Sequence, residues 1–239
     1  RNNDQNNKQI TFRIRLAYET SPGEEIFICG DNQDFGNWTP YFKLYWTEGN
    51  IWIADYTLSE SIEFVKYKFV VRSYENEKWE EGDNRLLSRK YLNGLKQTDD
   101  GKYILDCIWG YFKINFNIHY IVNNSSYMRI IGGCDALNNW KSHVKLELDN
   151  NKKIVAKDGN EIKGFWTVTL LMKMENKNNL NFDYRYSIFD EQLNSAIWER
   201  EPNRHIYILT ELNEENYDNF INNPDEYKLL SNSYLEVLD

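Results

Sequence analysis

At 239 residues the chain has room for one large domain or two of ordinary size, and its 41% hydrophobic and 15% aromatic content can fill real cores. A formal net charge of -9 argues against nucleic acid and against an anionic membrane surface as partners, because both call for clustered Lys and Arg. No run approaches the roughly 18 apolar residues of a membrane-spanning helix, and an acidic, aromatic-rich chain suits a neutral, polyhydroxylated ligand.

The chain opens on RNNDQNNKQ, a polar stretch that reads as disordered. Strand-period alternation follows in TFRIRLAY (11–18), EIFICG (25–30), IWIADYTL (51–58) and FVKYKFVV (64–71). It resumes in YFKINFNIHY (111–120), SYMRIIGG (126–133), GFWTVTLL (164–171) and LNFDYRYSIF (180–189). Short β-branched and aromatic segments bounded by Gly, Asn, Asp and Ser indicate an all-β sandwich or barrel. One candidate helix, LNEENYDNFINN (212–223), lies in an acidic tail and is stopped by Pro224. Cys29, Cys107 and Cys134 are odd in number and each sits in or beside an apolar run, so they read as small buried hydrophobes in a reducing compartment. A glycan on the sequon Asn37-Trp38-Thr39 would crowd Trp38; with free thiols, this points to the cytosol.

Laid against itself, the chain repeats. GDNQDFGNW (30–38) matches GGCDALNNW (132–140), YKF (67–69) matches YRY (184–186), and WEEGDNR (79–85) matches WEREPNR (198–204). The offset is 102 residues between Trp38 and Trp140, and 119 between Trp79 and Trp198. Its growth places an insertion in the middle of the second copy, where NNKKIVAKDGNEIKG (150–164) reads as a polar loop. We therefore expect two copies of one fold, over 8–106 and 109–210, joined by the short linkage Asp106-Cys107-Ile108 and followed by an acidic tail or linker over 211–239.

Each copy carries the same ordered set of Trp, long cation, Trp and Asn: Trp38, Lys68, Trp79 and Asn84, then Trp140, Arg185, Trp198 and Asn203. These four Trp fall in turn-rich polar sequence, whereas Trp52 and Trp166 sit in apolar alternations and read as core. A loop indole exposes apolar surface unless something covers it. The flat C–H face of glucose can lie on an indole, and Lys and Asn at the rim supply donors and acceptors for its hydroxyls.

These segments resemble the starch-binding domain, carbohydrate-binding module family 20, with its G-x-x-x-x-L/F-G-x-W turn, its Y-K-F/Y strand and its W-E-x-x-x-N-R segment. The resemblance covers roughly 200 residues, both copies included. It implies two tandem immunoglobulin-like antiparallel β-sandwich modules that bind α-glucan polysaccharide or maltooligosaccharide without a cofactor or metal. By motif position, the principal glucan site falls on the eight residues just named. Glu80 and Glu199, beside the second Trp of each pair, are expected to orient it or to touch sugar. The family's second site has a Tyr where this chain has Pro22 and Asn124, which puts that site in doubt in both copies; Tyr45, Trp46 or Tyr18 are the substitutes at hand. Two such modules in series resemble the front of a cytosolic disproportionating-type 4-alpha-glucanotransferase of glycoside hydrolase family 77, which implies a catalytic domain after them. A laforin-like glucan phosphatase and a glucan dikinase are the alternative hosts.

Nothing in the chain reads as catalytic. His119, His143 and His205 show no zinc spacing, and there is no G-x-S-x-G, P-loop or dinucleotide glycine pattern. The remaining alternative is a structural or adhesion sandwich pair with the Trp side chains buried at an interface.

Overall fold

The alternation in the sequence decides which side chains turn inward. In a computed structural model describing residues 9–155, 159 and 161–239, the first strand, β1 (Ile10–Ala17), buries Phe12, Ile14 and Leu16 and turns Arg13 and Arg15 outward. The same period governs β5 (Ile51–Leu58), whose Trp52, Ala54, Tyr56 and Leu58 face the core. The structure is mostly β, as expected, and the chain divides into two compact modules. One takes the residues up to Phe112 together with Leu230–Ser233, and the other takes Lys113–Leu229 with Tyr234–Asp239. The polar opening through residue 8 lies outside the described residues.

The first module adds β2 (Glu25–Gly30), β3 (Phe42–Lys43), β4 (Tyr45–Thr47), β6 (Phe64–Arg72), β7 (Glu77–Trp79), β8 (Arg85–Ser88) and β9 (Tyr103–Ile108). One sheet runs β9-β1-β5-β4, with β1 antiparallel to β5 (Leu16 opposite Trp52) and parallel to β9 (Leu16 opposite Cys107). The other runs β3-β2-β6-β7, with β8 also on β6. Their inner faces meet in one apolar cluster that joins Phe12, Ile14 and Trp52 to Ile26, Ile28 and Phe69. Full burial of each such side chain contributes about 1.5–3 kcal/mol. Asp106-Cys107-Ile108, expected as a linkage, is the end of β9, and Cys107 is buried.

The second module is built from β10 (Tyr111–His119), β11 (Ser126–Gly132), β12 (Val144–Lys145), β13 (Glu147–Leu148), β14 (Lys153–Val155), β15 (Glu161–Lys163), β16 (Phe165–Lys173), β17 (Asn181–Asp190), β18 (Ser195–Trp198), β19 (Arg204–Leu209), β20 (Tyr227–Leu229) and β21 (Tyr234–Leu238). Its sheets, β13-β16-β10-β21 and β12-β11-β17-β19-β20 with β18 on β17, repeat the strand pairings of the first module and add β20 beside β19 and the separate β14–β15 pair. Even single bonds recur: Trp52 Nε1 donates to the carbonyl of Tyr18 at 3.2 Å, and Trp166 Nε1 to that of Tyr120 at 3.0 Å. Both indoles are buried, as their apolar setting implied. The insertion read from the growing offset is the β14–β15 hairpin, with residues 156–158 and 160 outside the described residues.

The stretch 211–239 is more than a tail. Its helix, α1 (Tyr217–Asn222), is shorter than the expected 212–223, and strands follow it. Residues 230–233 are buried in the first module, where Asn232 bonds the backbone of Ser88 and Tyr91. β21 then lies parallel to β10, the place β9 holds beside β1 in the first module. Burial of Leu235 and Val237 holds it there. No helix among the described residues is long and apolar enough to cross a membrane.

Candidate functional site

Each module throws a tryptophan out of a tight turn that follows its second strand. In the first, Gly30 N–H bonds Phe35 O at 2.9 Å, the Asn32 side chain caps Phe35 N–H at 2.9 Å, and the Phe35 ring is fully buried. The anchored chain then turns sharply through Gly36–Trp38. A Cβ on Gly36, at φ +77°, would sit 2.8 Å from Tyr41 Cβ, so only glycine fits. In the second module buried Leu137 holds the anchor position and the turn is Asp135–Trp140.

Both turns end with the tryptophan itself in the left-handed region, Trp38 at φ 68° and Trp140 at φ 64°. The residues before them, Asn37, Asn138 and Asn139, are left-handed too. Asn tolerates this conformation; a bulky ring does so at a cost of about 1–3 kcal/mol. The same outlier in both copies marks a built feature that presents the ring rather than burying it.

The second tryptophan of each pair ends a short strand beside β6 or β17. Trp79 lies opposite Val70, and Trp198 opposite Ser187. The four indoles stay 38%, 36%, 42% and 45% exposed (Trp38, Trp79, Trp140, Trp198), against 6% and 7% for the core Trp52 and Trp166. Trp198 has the ring of His143 at 5.2 Å, and His143 lies three residues beyond Trp140, which brings the segment after the Trp140 turn against Trp198. Sequence reasoning passed over His143 because only its metal-binding spacing was tested.

The cations take different postures. Lys68 Nζ donates to the carbonyls of Glu80 and Gly82, at 2.9 and 2.5 Å, fixing the turn behind Trp79 and leaving one of its three protons for a ligand. Burial lowers its pKa. Arg185 spends Nε and Nη2 on the single carbonyl of Glu199, at 3.1 and 2.8 Å, and its guanidinium carbon stands 5.7 Å from the Trp198 ring centre. It braces the indole as much as it offers donors. Asn84 and Asn203 make no hydrogen bond among the described residues, so both amides are open to a ligand.

Glu80 must be corrected. Its carboxylate is fully buried in a pair with Arg85, Oε2 accepting from Nε at 2.9 Å and Oε1 from Nη2 at 2.5 Å, and Oε1 also takes Gly110 N–H at 2.8 Å. It cannot touch sugar; of its two expected roles only the orienting one is open. Glu199 is partly exposed but accepts from Arg204 Nε at 2.8 Å and from Tyr186 N–H at 3.2 Å, the same holding role. Arg85 and Arg204 belong to the repeated motif and went unassigned, because linear spacing does not reveal that each reaches back to the glutamate. Of the substitutes for the family's second site, Tyr18 is engaged, its ring 4.6 Å from Trp109 and its hydroxyl 3.2 Å from Lys78 Nζ; Tyr45 and Trp46 are exposed. Among the described residues no group of three or more His, Cys, Asp or Glu is arranged to hold a metal ion.

The starch binding domain family matches residues 7–97 and again 111–217. Among solved structures, the chain is similar to the glycoside hydrolase family 15 glucoamylase from Hypocrea jecorina (20% identity, 40% of this chain and 14% of that one, TM-score 0.31). It is also similar to the Hormoconis resinae glucoamylase (21% identity, 42% and 17%, TM-score 0.34). A third likeness is to CBMbc, of family CBM26, from Eubacterium rectale Amy13K in complex with maltoheptaose (11% identity, 80% and 86%, TM-score 0.26). The chain thus spans less than a fifth of the length of either glucoamylase. Comparison with curated protein sequences gave no match.

Proposed function

Since this chain belongs to the starch binding domain family in both of its halves, we propose that it binds α-1,4-glucan without catalysing any reaction, through one aromatic platform per module. The first platform is Trp38, Lys68, Trp79 and Asn84, and the second is Trp140, Arg185, Trp198 and Asn203. The observation that carries this reading is the repeated left-handed tryptophan: two copies hold the same ring at an unfavourable backbone angle, half in solvent. A glucose face laid on each indole would remove that apolar surface from water, and the free Asn amide and the remaining Lys proton would meet its hydroxyls.

The binding would serve to bring an attached catalytic domain to polysaccharide. A 4-alpha-glucanotransferase is our choice for that domain, on the resemblance of paired modules to the front of such enzymes. We place the protein in the cytosol, a choice supported by three buried, unpaired thiols. Calorimetric titration with β-cyclodextrin, a closed mimic of the glucan helix, tests the platforms. Two sites per chain are expected, the second differing in affinity because a guanidinium braced on the Glu199 carbonyl and the Trp198 ring stands where the first module has the Lys68 ammonium. No heat at millimolar ligand, together with no retention on soluble starch, would refute the assignment.

A further inference from the structure

The two modules differ on one outer sheet face, and the difference is aromatic. In the first module Tyr41 and Tyr45 are 71% and 67% exposed, and both line a shallow groove of about 600 Å³ over the outward side of β1, β5 and β4. Neither phenol makes a hydrogen bond among the described residues. The groove floor is Ile53 and a fixed polar pair: Arg13 Nε and Nη2 each donate to Asp55 at 2.8 Å, and Lys102 Nζ reaches the same carboxylate at 2.9 Å. Tyr45 stands opposite Ile53 in the β4–β5 register, and Trp46 opposite the core residue Trp52. By strand alternation Tyr45 and Trp46 face opposite ways, and of the two only Tyr45 lines this groove.

The groove leads toward the turn that presents Trp38 of the first platform. A second shallow depression, of about 660 Å³, shares Tyr41, Phe42 and Asp55 with it and extends to Gly36 and Asn37, the residues that set Trp38. Tyr41 itself packs on Gly36.

The second module carries none of this. With Leu44 and Leu146 both buried and bonded alike (Leu44 N–H to Ile26 O at 2.9 Å, Leu146 N–H to Met128 O at 3.0 Å), the equivalents of Tyr41 and Tyr45 are His143 and Glu147. Arg13, Ile53 and Asp55 become Asn115, Thr167 and Thr169, and the Asn115 amide is spent on those two threonine hydroxyls at 2.9 Å each. The face is polar: the Asn115 amide is met by the two threonines, while His143 Nε2 is buried without a hydrogen-bond partner among the described residues.

Resting on the glucan-binding reading above, we propose that the Tyr41–Tyr45 groove is an extension of the first platform, taking the next glucose units of a linear α-glucan as it leaves Trp38. Flat rings beside a fixed carboxylate and guanidinium provide stacking faces and hydroxyl partners in the pattern a sugar chain needs. The first module is then the long-chain reader and the second a short-chain one.

The test uses the full chain with the second platform silenced by Trp140→Ala and Trp198→Ala, titrated with maltotriose and with a long linear maltodextrin. Tyr41→Ala with Tyr45→Ala, which keeps the Tyr41 Cβ on Gly36, should weaken the long ligand about tenfold and leave maltotriose within twofold. Unchanged affinity for both ligands overturns the extension while leaving the platform in place. An equal loss for both overturns it too, by showing that the tyrosines only support Trp38. If the parent chain binds neither ligand, the glucan reading itself has failed. Sedimentation of the parent and the tyrosine variant covers the other occupant: a dimer that the variant dissolves would assign the groove to a second copy of this chain and overturn the proposal.

Discussion

Glu80 and Glu199 hold the same place in the repeat but differ in how far they are removed from water. The Glu80 side chain has no exposed surface, and Arg85 spreads its remaining donors over Ser233 Oγ at 2.8 Å and the carbonyls of Ile108 and Tyr111 at 2.8 and 3.1 Å. Burial opposes the Arg85 charge, yet the facing carboxylate still raises its pKa. Removing one partner strands a buried charge, which costs about 3–5 kcal/mol. Glu80→Ala should therefore lose stability of that order in urea unfolding, whereas Glu199→Ala, with a quarter of its side chain exposed, should lose about 1 kcal/mol. Replacing the first pair together, Glu80→Leu with Arg85→Met, should recover much of the loss, since an apolar pair needs no counter-charge. Equal losses from the two alanine variants would show that burial is not what separates them. The W-E-x-x-x-N-R run was visible in the sequence, and so was the conspicuous tryptophan in it. That its Glu and Arg find each other was not, because the pairing depends on a turn at Gly82, φ +85°, that spacing alone does not show.

Among the elements, the strands and the hairpin insertion were readable because each leaves a periodic or numerical trace: alternation for one, a changing offset for the other. The left-handed turns left only a hint, the asparagines before each tryptophan, since backbone angle has no sequence period. The last strand was hidden by composition. Acidic and Asn-rich sequence over 211–226 suggested a tail and drew attention from SYLEVLD, whose alternating Leu235 and Val237 have the strand pattern. Residues 230–233 could not be foreseen as part of the first module, because their burial rests on a polar lock. Asn232 accepts from Ser88 N–H at 2.8 Å and donates to the carbonyls of Ser88 and Tyr91 at 3.0 and 2.8 Å. Asn232→Ala would leave those buried groups unmet and place alanine at φ 54°, a loss of about 2–4 kcal/mol. Ending the chain after Leu229 removes both this lock and β21, so we expect that variant to show no cooperative thermal unfolding by circular dichroism. A truncated chain that melts as sharply as the parent would mean that the segment is accessory to both modules.

For the whole molecule, the duplication matters more than either copy. On the proposed glucan binding, a polysaccharide held by one platform would meet the other at an effective concentration in the millimolar range, so two weak contacts would give a stronger one without any added surface. A short sugar gains nothing from this, because it cannot engage both modules. Trp79→Ala alone, or Trp198→Ala alone, should therefore weaken retention on soluble amylopectin about 10–100-fold. Each should leave maltotriose affinity at the intact module unchanged and halve the number of maltotriose sites. The double variant should bind neither. Low salt and about 0.5 M salt should give the same pattern, since the ligand is uncharged and a net charge of -9 has nothing on it to repel or attract. If each single variant only halves polysaccharide capacity and leaves its affinity intact, the modules work as independent binders and the tandem arrangement confers number rather than avidity.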